Sequence, residues 1–382
     1  MTKRVTHLIT GLGMGGAEMM LWQVLKYGDT AAADLRVISL SGEGESQYYV
    51  EQIRALGISV TAVPLKRRPI SSVLRICKLL RKTDTLFCWM YHSNFLGYIL
   101  GRMCHVKRIV WNICHNDLSE ANNKKLTLWI NRFCAAHSAR VDCIAYNGES
   151  SRRIHEDAGY ARQKGTVLPN GCDCTRFCPD PEAAPSLHRE LGIPDGRRIV
   201  LSVGRNHPIK DLPTFIRAFS IVHQHHPEST AVMCGTGITP EDADLQALCR
   251  ACELQIGSDL YLIGQRTDVP RLQAACDLYV LHSAAEAFPN VLLQAMACGC
   301  LCVSTDVGPA RELLGNDAQI VPPGDPAALA GAMEQMLTLS QENAQLLRDQ
   351  ARKTVLEHYS IGEVARIYTA LYEQEGCSHD RT

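Results

Sequence analysis

Three short stretches of this 382-residue chain place charged or glycine residues at strand-to-helix corners, where α/β proteins hold ligands. The first, GLGMGGAE at 11–18, follows a strand-like run and puts glycine at 11, 13, 15 and 16. Glycines there let the backbone approach a phosphate, and amides at a helix start point toward an anion. A tight turn needs the same residues, so this stretch alone leaves both readings open. The second, VGRNHPIKD at 203–211, brackets a loop with Arg205 and Lys210, and Asp211 is placed to cap the next helix. Two cations beyond a strand end suit a diphosphate, each charge-assisted contact contributing about 1.5–3 kcal/mol; solvated surface charge is the plainer alternative. The third, HSAAEAFPNVLLQAMACGC at 282–300, sets one carboxylate, Glu286, before Phe288, Pro289 and Asn290 and a helix carrying Gln294. Proline suits the first turn of that helix, whose N-terminus carries partial positive charge. Glu286 either caps the helix or accepts hydrogen bonds from hydroxyl groups, as a sugar requires.

Corners of this kind need strands that end at them. Runs rich in β-branched and aliphatic residues (RVTHLIT, LRVISL, ISVTAV, TDTLFCWM, KRIVWNI, VDCIAYN and GTVLPN) alternate with helix-length patterns in the first half. A second series (RRIVLSVG, STAVMCG, DLYLIG, DLYVLHS, LCVSTDV and AQIVPP) begins near residue 197. That alternation predicts an α/β protein with two doubly wound, Rossmann-like parallel-sheet domains in series. The stretch between them is dense in Pro, Gly and Asp and reads as a linker over 169–185. The expected division is an N-terminal domain over 1–168 and a C-terminal domain over 186–360, with a last helix at about 361–376 packing back on the first domain. Ligands of such sheets bind beyond the carboxyl ends of the strands, so two facing domains make a central cleft. A dinucleotide-binding turn at 11–18 is disfavoured, because Ser39 and Ser41 stand where the ribose-binding acid is expected.

Composition narrows the partners. At 46% hydrophobic and 21% charged, the chain is a globular protein too long for one core. No apolar run reaches about 18 residues, and MTKRVTHLITGLG lacks the layout of a signal peptide, so a cytoplasmic location is expected. Residues 1–180 hold 24 Lys and Arg against 15 Asp and Glu, while 181–382 hold 15 against 25, so the first half is the one suited to an anionic partner. Within it, LKRRPISSVLRICKLLRKTD at 65–84 sets Lys66, Arg67, Arg68, Arg75, Lys78, Arg81 and Lys82 around Val73, Leu74, Ile76, Leu79 and Leu80. A basic amphipathic helix of this kind docks on anionic lipid, or simply covers a sheet with a solvated basic face. No helix-turn-helix, RRM or OB pattern supports a nucleic-acid binder. The seventeen cysteines, including Cys88, Cys143, Cys234, Cys276 and Cys302, read as buried free thiols. They lack metal-site spacing. Asp242-Ala-Asp244 sits at a helix start, where capping explains it, so no metal and no cofactor are expected.

Taken together, GGAE, NG.D…F.PD, VGR....KD and E.FPNVLL.AMACG...V.TDVG resemble the retaining glycosyltransferases of family four, which have the GT-B fold. The likeness runs over nearly the whole chain, including WMYHSN at 89–94, VWNICHN at 110–116 and LIGQRTDVPRL at 262–272, and is nearest the bacterial branch that assembles capsule, exopolysaccharide or O-antigen. The resemblance implies transfer of a sugar from a nucleotide diphosphate sugar, UDP- or GDP-linked, to a glycan or a polyprenyl-diphosphate-linked acceptor. It assigns Arg205 and Lys210 to the donor diphosphate, and Gly15 and Gly16 to the distal phosphate. Glu286 falls to the transferred sugar or its loop, His115 to the sugar's reacting face, and Gly264 to Arg266 to the base. Phe288, Pro289 and Asn290 continue the donor corner, and His92 and Asn94 stand on the acceptor side. Gln294 occupies the place of a second, ribose-binding Glu and offers one acceptor oxygen where a carboxylate has two. Ala287 stands where the family usually has glycine. Gln294 also motivates a rival, a non-catalytic nucleotide-sugar-binding partner of the same fold.

Overall fold

The computed structural model describes residues 3–42, 48–116, 118–120 and 123–372. The chain divides into two compact units, Met1–Gly171 with Ile361–Thr382, and Cys172–Ser360.

In the first unit, β1 (Lys3–Ile9), α1 (Gly16–Tyr27), β2 (Ala33–Ser39), α2 (Tyr48–Ala55) and β3 (Ser59–Ala62) run in alternation. They continue into α3 (Pro69–Leu80), β4 (Thr85–Trp89), α4 (Tyr91–Met103) and β5 (Arg108–Ile113). α5 (Lys125–His137), β6 (Cys143–Tyr146), α6 (Glu149–Asp157) and β7 (Gly165–Val167) complete the series. The seven strands form one sheet in the order β3-β2-β1-β4-β5-β6-β7, with every pairing parallel. The order reverses between β1 and β4, and that switch point is where an open α/β sheet leaves room for a ligand.

The second unit opens with α7 (Ala183–Leu191), β8 (Arg198–Val203), α8 (Leu212–His225), β9 (Ser229–Cys234) and α9 (Ala243–Ala251). Next come β10 (Leu260–Leu262), α10 (Val269–Ala275), β11 (Leu278–Leu281), α11 (Asn290–Ala297) and β12 (Leu301–Thr305). α12 (Ala310–Leu314), β13 (Ile320–Val321), α13 (Pro326–Leu337) and α14 (Gln341–His358) end it. Its six-stranded parallel sheet, β10-β9-β8-β11-β12-β13, switches between β8 and β11.

Both sheets are covered on both faces, which is why the strands read as continuous apolar runs. Side chains alternate between the faces: Val5 and Ile9 of β1 join one core cluster and Leu8 the other, and in β8 Ile199 and Leu201 separate from Val200 in the same way. α15 (Ile361–Ala370) returns the chain to the first unit, where Tyr368 stacks on Trp89 at 5.7 Å and accepts from Asn112 Nδ2 at 3.0 Å. Beside it, Trp89 Nε1 donates to His7 Nδ1 at 3.1 Å, leaving Nε2 to donate to the Tyr372 hydroxyl at 3.1 Å. Burial holds the His7 imidazole down at about 3, so it is neutral throughout the physiological range.

The segment expected to link the domains is built into the second unit from Cys172 onward. Cys172, Phe177 and Ala183 are buried in its core, and Asp173 folds back on Thr175. In α3, Ile76 and Leu80 are fully buried and Val73 and Leu79 pack against the core, so the apolar stripe of that helix covers the sheet. Leu74 is not part of this stripe; it is 66% exposed, beside Ile70 at 78%. Among the described residues fifteen cysteines are free thiols, Cys88, Cys234, Cys276 and Cys302 among them; Cys143 is not one of these. No helix among the described residues is long and apolar enough to cross a membrane.

Candidate functional site

The two loops beyond the β8/β11 switch point are tied to each other. His282 Nδ1 lies 2.6 Å from the Lys210 carbonyl, which can only accept, so that nitrogen carries the proton and Nε2 accepts from Ser202 Oγ at 2.6 Å. Ala284 N adds a backbone bond to Ile209 O at 2.8 Å. The Lys210 side chain then forms an ion pair with Glu286, whose Oε1 also accepts from Ser283 Oγ at 2.8 Å. Both partners of the pair are mostly shielded, with 20% and 14% of their side chains exposed. Gly308, at φ +54°, comes so close to the Glu286 carbonyl that a Cβ there would lie 2.8 Å from the oxygen. Glu286 therefore holds a lysine, and Pro289, not Glu286, stands at the N-cap of α11.

Arg205 contrasts with Lys210. It is exposed and has no hydrogen-bond or ion-pair partner among the described residues, so its guanidinium is available to a ligand. Its backbone is fixed nevertheless. Gly204 N donates to Cys234 O at 2.9 Å and Asn206 N to Thr236 O at 2.8 Å. Gly235, at φ +153°, lies against Gly204 so tightly that a Cβ would fall 1.7 Å from its carbonyl oxygen. Asp211, itself at φ 50°, caps α8 through Thr214 N as expected, and Asp242 caps α9 through the amides of Asp244 and Leu245. Gln294 is half-buried on α11, and its side-chain amide has no partner among the described residues. Phe288 is buried against Tyr359 at 6.3 Å.

Arg266 is already engaged. Its guanidinium makes two bonds to Asp268, at 2.8 and 2.9 Å, and one to Glu190 at 2.7 Å, and Arg271 joins the same two carboxylates. The Arg266 side chain first, then burial opposing and Arg271 supporting, holds the Asp268 carboxyl well below its usual range. Gly264, at φ +67°, uses its backbone to join Ile238 O and Gly235 N, both at 2.8 Å. The segment 264–266 is thus a fixed rim on which Arg266 is not a free donor.

In the first unit a cavity of about 770 Å³ lies at the carboxyl edge of the sheet, over the β1/β4 switch point. Thr10, Gly11 and Glu18 reach it from the β1–α1 corner, Met90, Tyr91 and His92 from the β4–α4 corner, and His115 from beyond β5. Lys66 and Arg67 stand on its rim, and Leu40, Pro64, Leu65 and Leu126 supply apolar wall. Met90 holds φ at 72°, a conformation costly for a side chain with a Cβ, and this sharp corner turns the start of α4 into the cavity. His155 Nδ1 donates to Ser151 O at 2.7 Å and its Nε2 accepts from Tyr91 OH at 2.5 Å; Tyr91 in turn stands edge-on to His115 at 6.0 Å. Burial first, and the Lys66 ammonium second, push the His92 imidazole below its ordinary range.

Gly15 is the N-cap of α1 and Gly16 its first residue. The Glu18 carboxylate folds back over Gly15, where a Cβ would meet its Oε2 at 2.2 Å. Burial raises the Glu18 carboxyl above its usual range, and the hydrogen bond from its own amide opposes that rise. Asn94, expected beside His92, does not line the cavity. It is fully buried, and both polar atoms of its amide lack a partner among the described residues. Two residues along a helix is about 200°, which carries Asn94 to the face opposite His92. No group of three or more His, Cys, Asp or Glu among the described residues is placed to hold a metal.

Two family profiles match the chain: glycosyltransferase family 4 over residues 14–176, and glycosyl transferases group 1 over 184–354. The chain belongs to the family-four glycosyltransferases. Curated relatives of this glycosyltransferase include the putative glycosyltransferase EpsF of Bacillus subtilis, 23% identical over 80% of this chain and 79% of the relative. Another is the UDP-Gal:alpha-D-GlcNAc-diphosphoundecaprenol alpha-1,3-galactosyltransferase of Escherichia coli, 23% identical over 82% of each. Among solved structures, Anabaena HepE in complex with UDP superposes with a TM-score of 0.84, at 21% identity, over 97% of this chain and all of that one. The GT-B fold is shared across that likeness, and the enzyme reading stands over the non-catalytic rival.

Sequence reasoning missed four residues that the tertiary structure brings to these sites. His282 opens the third stretch but reads as the end of a strand. Glu18 closes the first and reads as part of a glycine motif. Gly308 and Met90 carry no local signal, because only the backbone angles and the neighbouring loops reveal what each does.

Proposed function

We propose that this glycosyltransferase moves a hexose, with retention and without a metal, from a UDP- or GDP-linked sugar to a glycan or polyprenyl-diphosphate-linked acceptor in cell-surface polysaccharide assembly. The observation that carries this reading is the corner beyond β8 and β11: a free guanidinium, Arg205, on the same short loop as an ammonium, Lys210, that Glu286 holds in place. In the proposed reaction the diphosphate leaves with growing negative charge. Arg205 and Lys210 stabilise that charge, and the amides of Gly15 and Gly16 take the distal phosphate. Lys210 has three donors and gives one to Glu286, so two remain for phosphate oxygens. Glu286 directs that ammonium and borders the transferred sugar, and Phe288, Pro289 and Asn290 shape the same corner. Gln294 binds the ribose through its amide. The backbone of Gly264–Arg266 borders the base, and His115 faces the reacting sugar.

Support for a UDP donor comes from the HepE complex with UDP and from the donor in the name of the Escherichia coli relative, which also names a diphosphoundecaprenol acceptor. Residues 1–168 are assigned to the acceptor, with His92 facing it, and 186–360 to the donor, with 169–185 between. Peripheral attachment to the inner face of the membrane is part of the proposal: α3 and the residues that flank it present Ile70 and Leu74 together with Arg67, Arg68, Arg75, Lys78, Arg81 and Lys82, all exposed. None of these six cations has an ion-pair partner among the described residues, and each contributes about 1 kcal/mol near an anionic surface.

A thermal-shift panel of nucleotide diphosphate sugars tests the donor assignment. The right donor at about 100 times its Kd stabilises the fold by roughly 2.7 kcal/mol, and a panel with no shift for any UDP or GDP sugar removes the assignment.

A further inference from the structure

Thiols crowd one core cluster of the second unit, and two of them, Cys172 and Cys174, stand where that cluster opens to solvent. We infer that Cys172 and Cys174 form an oxidation site: a hydroperoxide oxidises Cys174, and Cys172 closes the product to a disulfide. The inference goes beyond sugar transfer and does not depend on it.

A tight turn holds the two residues together. Cys172, the first residue of the second unit, is fixed by its amide, which donates to Tyr359 O at 2.7 Å. Asp173 Oδ1 accepts from Thr175 Oγ1 at 2.6 Å and from Thr175 N at 3.2 Å, and the Cys174 sulfur lies 3.5 Å from the Cys172 carbonyl. The two thiols are hydrogen-bonded to each other. Cys172 is buried and Cys174 half-buried, so a small oxidant meets Cys174 first. Arg352 of α14, anchored by its bond to the Ala297 carbonyl, brings a guanidinium beside that sulfur. The bond from Cys172 first, and the guanidinium second, lower the Cys174 thiol below its ordinary value against burial and the Asp173 carboxylate. Burial does the reverse elsewhere, pushing Cys104 up to about 11 and Cys114 up to about 12. The shared bond raises Cys172, which therefore keeps its proton. An accessible thiolate with a resolving thiol next to it is the arrangement on which peroxide acts. Proximity alone is not enough: the sulfurs of Cys276 and Cys300 lie 3.4 Å apart, but both residues are buried.

The step balances with the peroxide as oxidant. The Cys174 thiolate attacks one peroxide oxygen, an S–O bond forms as the O–O bond breaks, and the departing hydroxide or alkoxide takes a proton. The Cys172 sulfur then attacks the sulfur of the sulfenic acid. The S–S bond forms as the S–O bond breaks, and hydroxide leaves with the Cys172 proton as water. Two thiols lose two hydrogens and two electrons, and the peroxide gains them.

Hydrogen peroxide added to the full chain, followed by peptide mass spectrometry, tests this. The peptide carrying Cys172 and Cys174 should lose two hydrogens before any other described cysteine changes, and dithiothreitol should restore it. Cys172→Ser should stop at a sulfenic acid that dimedone traps on Cys174. Oxidation that begins at Cys178 or joins Cys276 to Cys300 instead overturns the inference, as does dimedone found on Cys172 of the native chain. Iodoacetamide at neutral pH gives a second reading without a variant: Cys174 should react at least about tenfold faster than Cys104 or Cys114. Equal rates overturn the assignment of Cys174 as the attacking thiol.

Discussion

The loops beyond β8 and β11 and the rim of the first unit's cavity both lie at topological switch points, and both carry cations, yet they are built in opposite ways. At the first, Lys210 is fixed by its side chain and its backbone together, through Glu286, His282 and the Ala284–Ile209 bond. At the second, the side chains of Lys66 and Arg67 have no hydrogen-bond or ion-pair partner among the described residues. A group that must stabilise charge developing in a transition state benefits from being positioned in advance, since it then costs no reorganisation during reaction. Lys210 meets that condition, whereas Arg205, whose side chain has no partner among the described residues, is fixed only through the backbone on either side of it.

The comparison breaks most directly at the fixed site. Arg205→Ala or Lys210→Ala is expected to cost roughly 10²–10³ in kcat, measured with saturating donor, as for loss of one anion-stabilising donor. Near-native turnover in either variant would remove the distinction. Next in size is Gly308→Ala, which forces a side chain into φ +54° and against the Glu286 carbonyl. It should destabilise the protein by about 1–3 kcal/mol in urea titrations and lower activity as well, because the loop carrying Glu286 has to move.

Acidification sharpens the comparison on stability. His282 in the second unit and His7 and His155 in the first are held neutral by burial, at about 4, about 3 and about 4. Their folded values lie below the ordinary 6.5, so below that pH the unfolded chain binds protons that the native chain refuses. Stability is therefore complete above about pH 6.5 and falls from there toward pH 4, with each histidine contributing up to about 1.4 kcal/mol per pH unit. Denaturant midpoints at pH 7.5, 6 and 5 measure it, and His282→Asn should flatten the slope.

Two smaller effects concern single side chains. Gly15→Ala places its methyl where the end of the Glu18 side chain now lies, and that flexible end can swing away. Stability should change by no more than about 0.5 kcal/mol while donor binding weakens several-fold. Gln294→Glu restores a second acceptor oxygen and is expected to tighten the donor by roughly tenfold or less, read as a fall in Kd.

Much of this was legible in the residues. The apolar runs end where the strands end, because parallel strands covered on both faces leave no alternation to confuse the reading. The corners at 11–18, 203–211 and 282–300 announced themselves because glycines and lone charges are costly inside such elements. The stripe of α3 was legible only in part: periodicity put Leu74 with Ile76 and Leu80, but packing buries the latter two and leaves Leu74 outside with Ile70. Asn94 shows the same limit, since a spacing of two residues cannot say which of two helical faces meets the cavity.

The sequence by itself determined the α/β class, the two sheets and the residues at their carboxyl ends, because those follow from local periodicity and from what glycine and charge can tolerate. Only the tertiary structure decided that Glu286 holds Lys210, that His282 fixes the carbonyl beside it, that Arg266 is already spent on Asp268 and Glu190, and that Lys66 and Arg67 border a cavity. Each of those contacts, apart from Arg266 with Asp268, joins segments far apart in the chain. Which of many possible partners a long side chain meets is fixed by the register of strands and the turns that follow them, not by its neighbours in sequence.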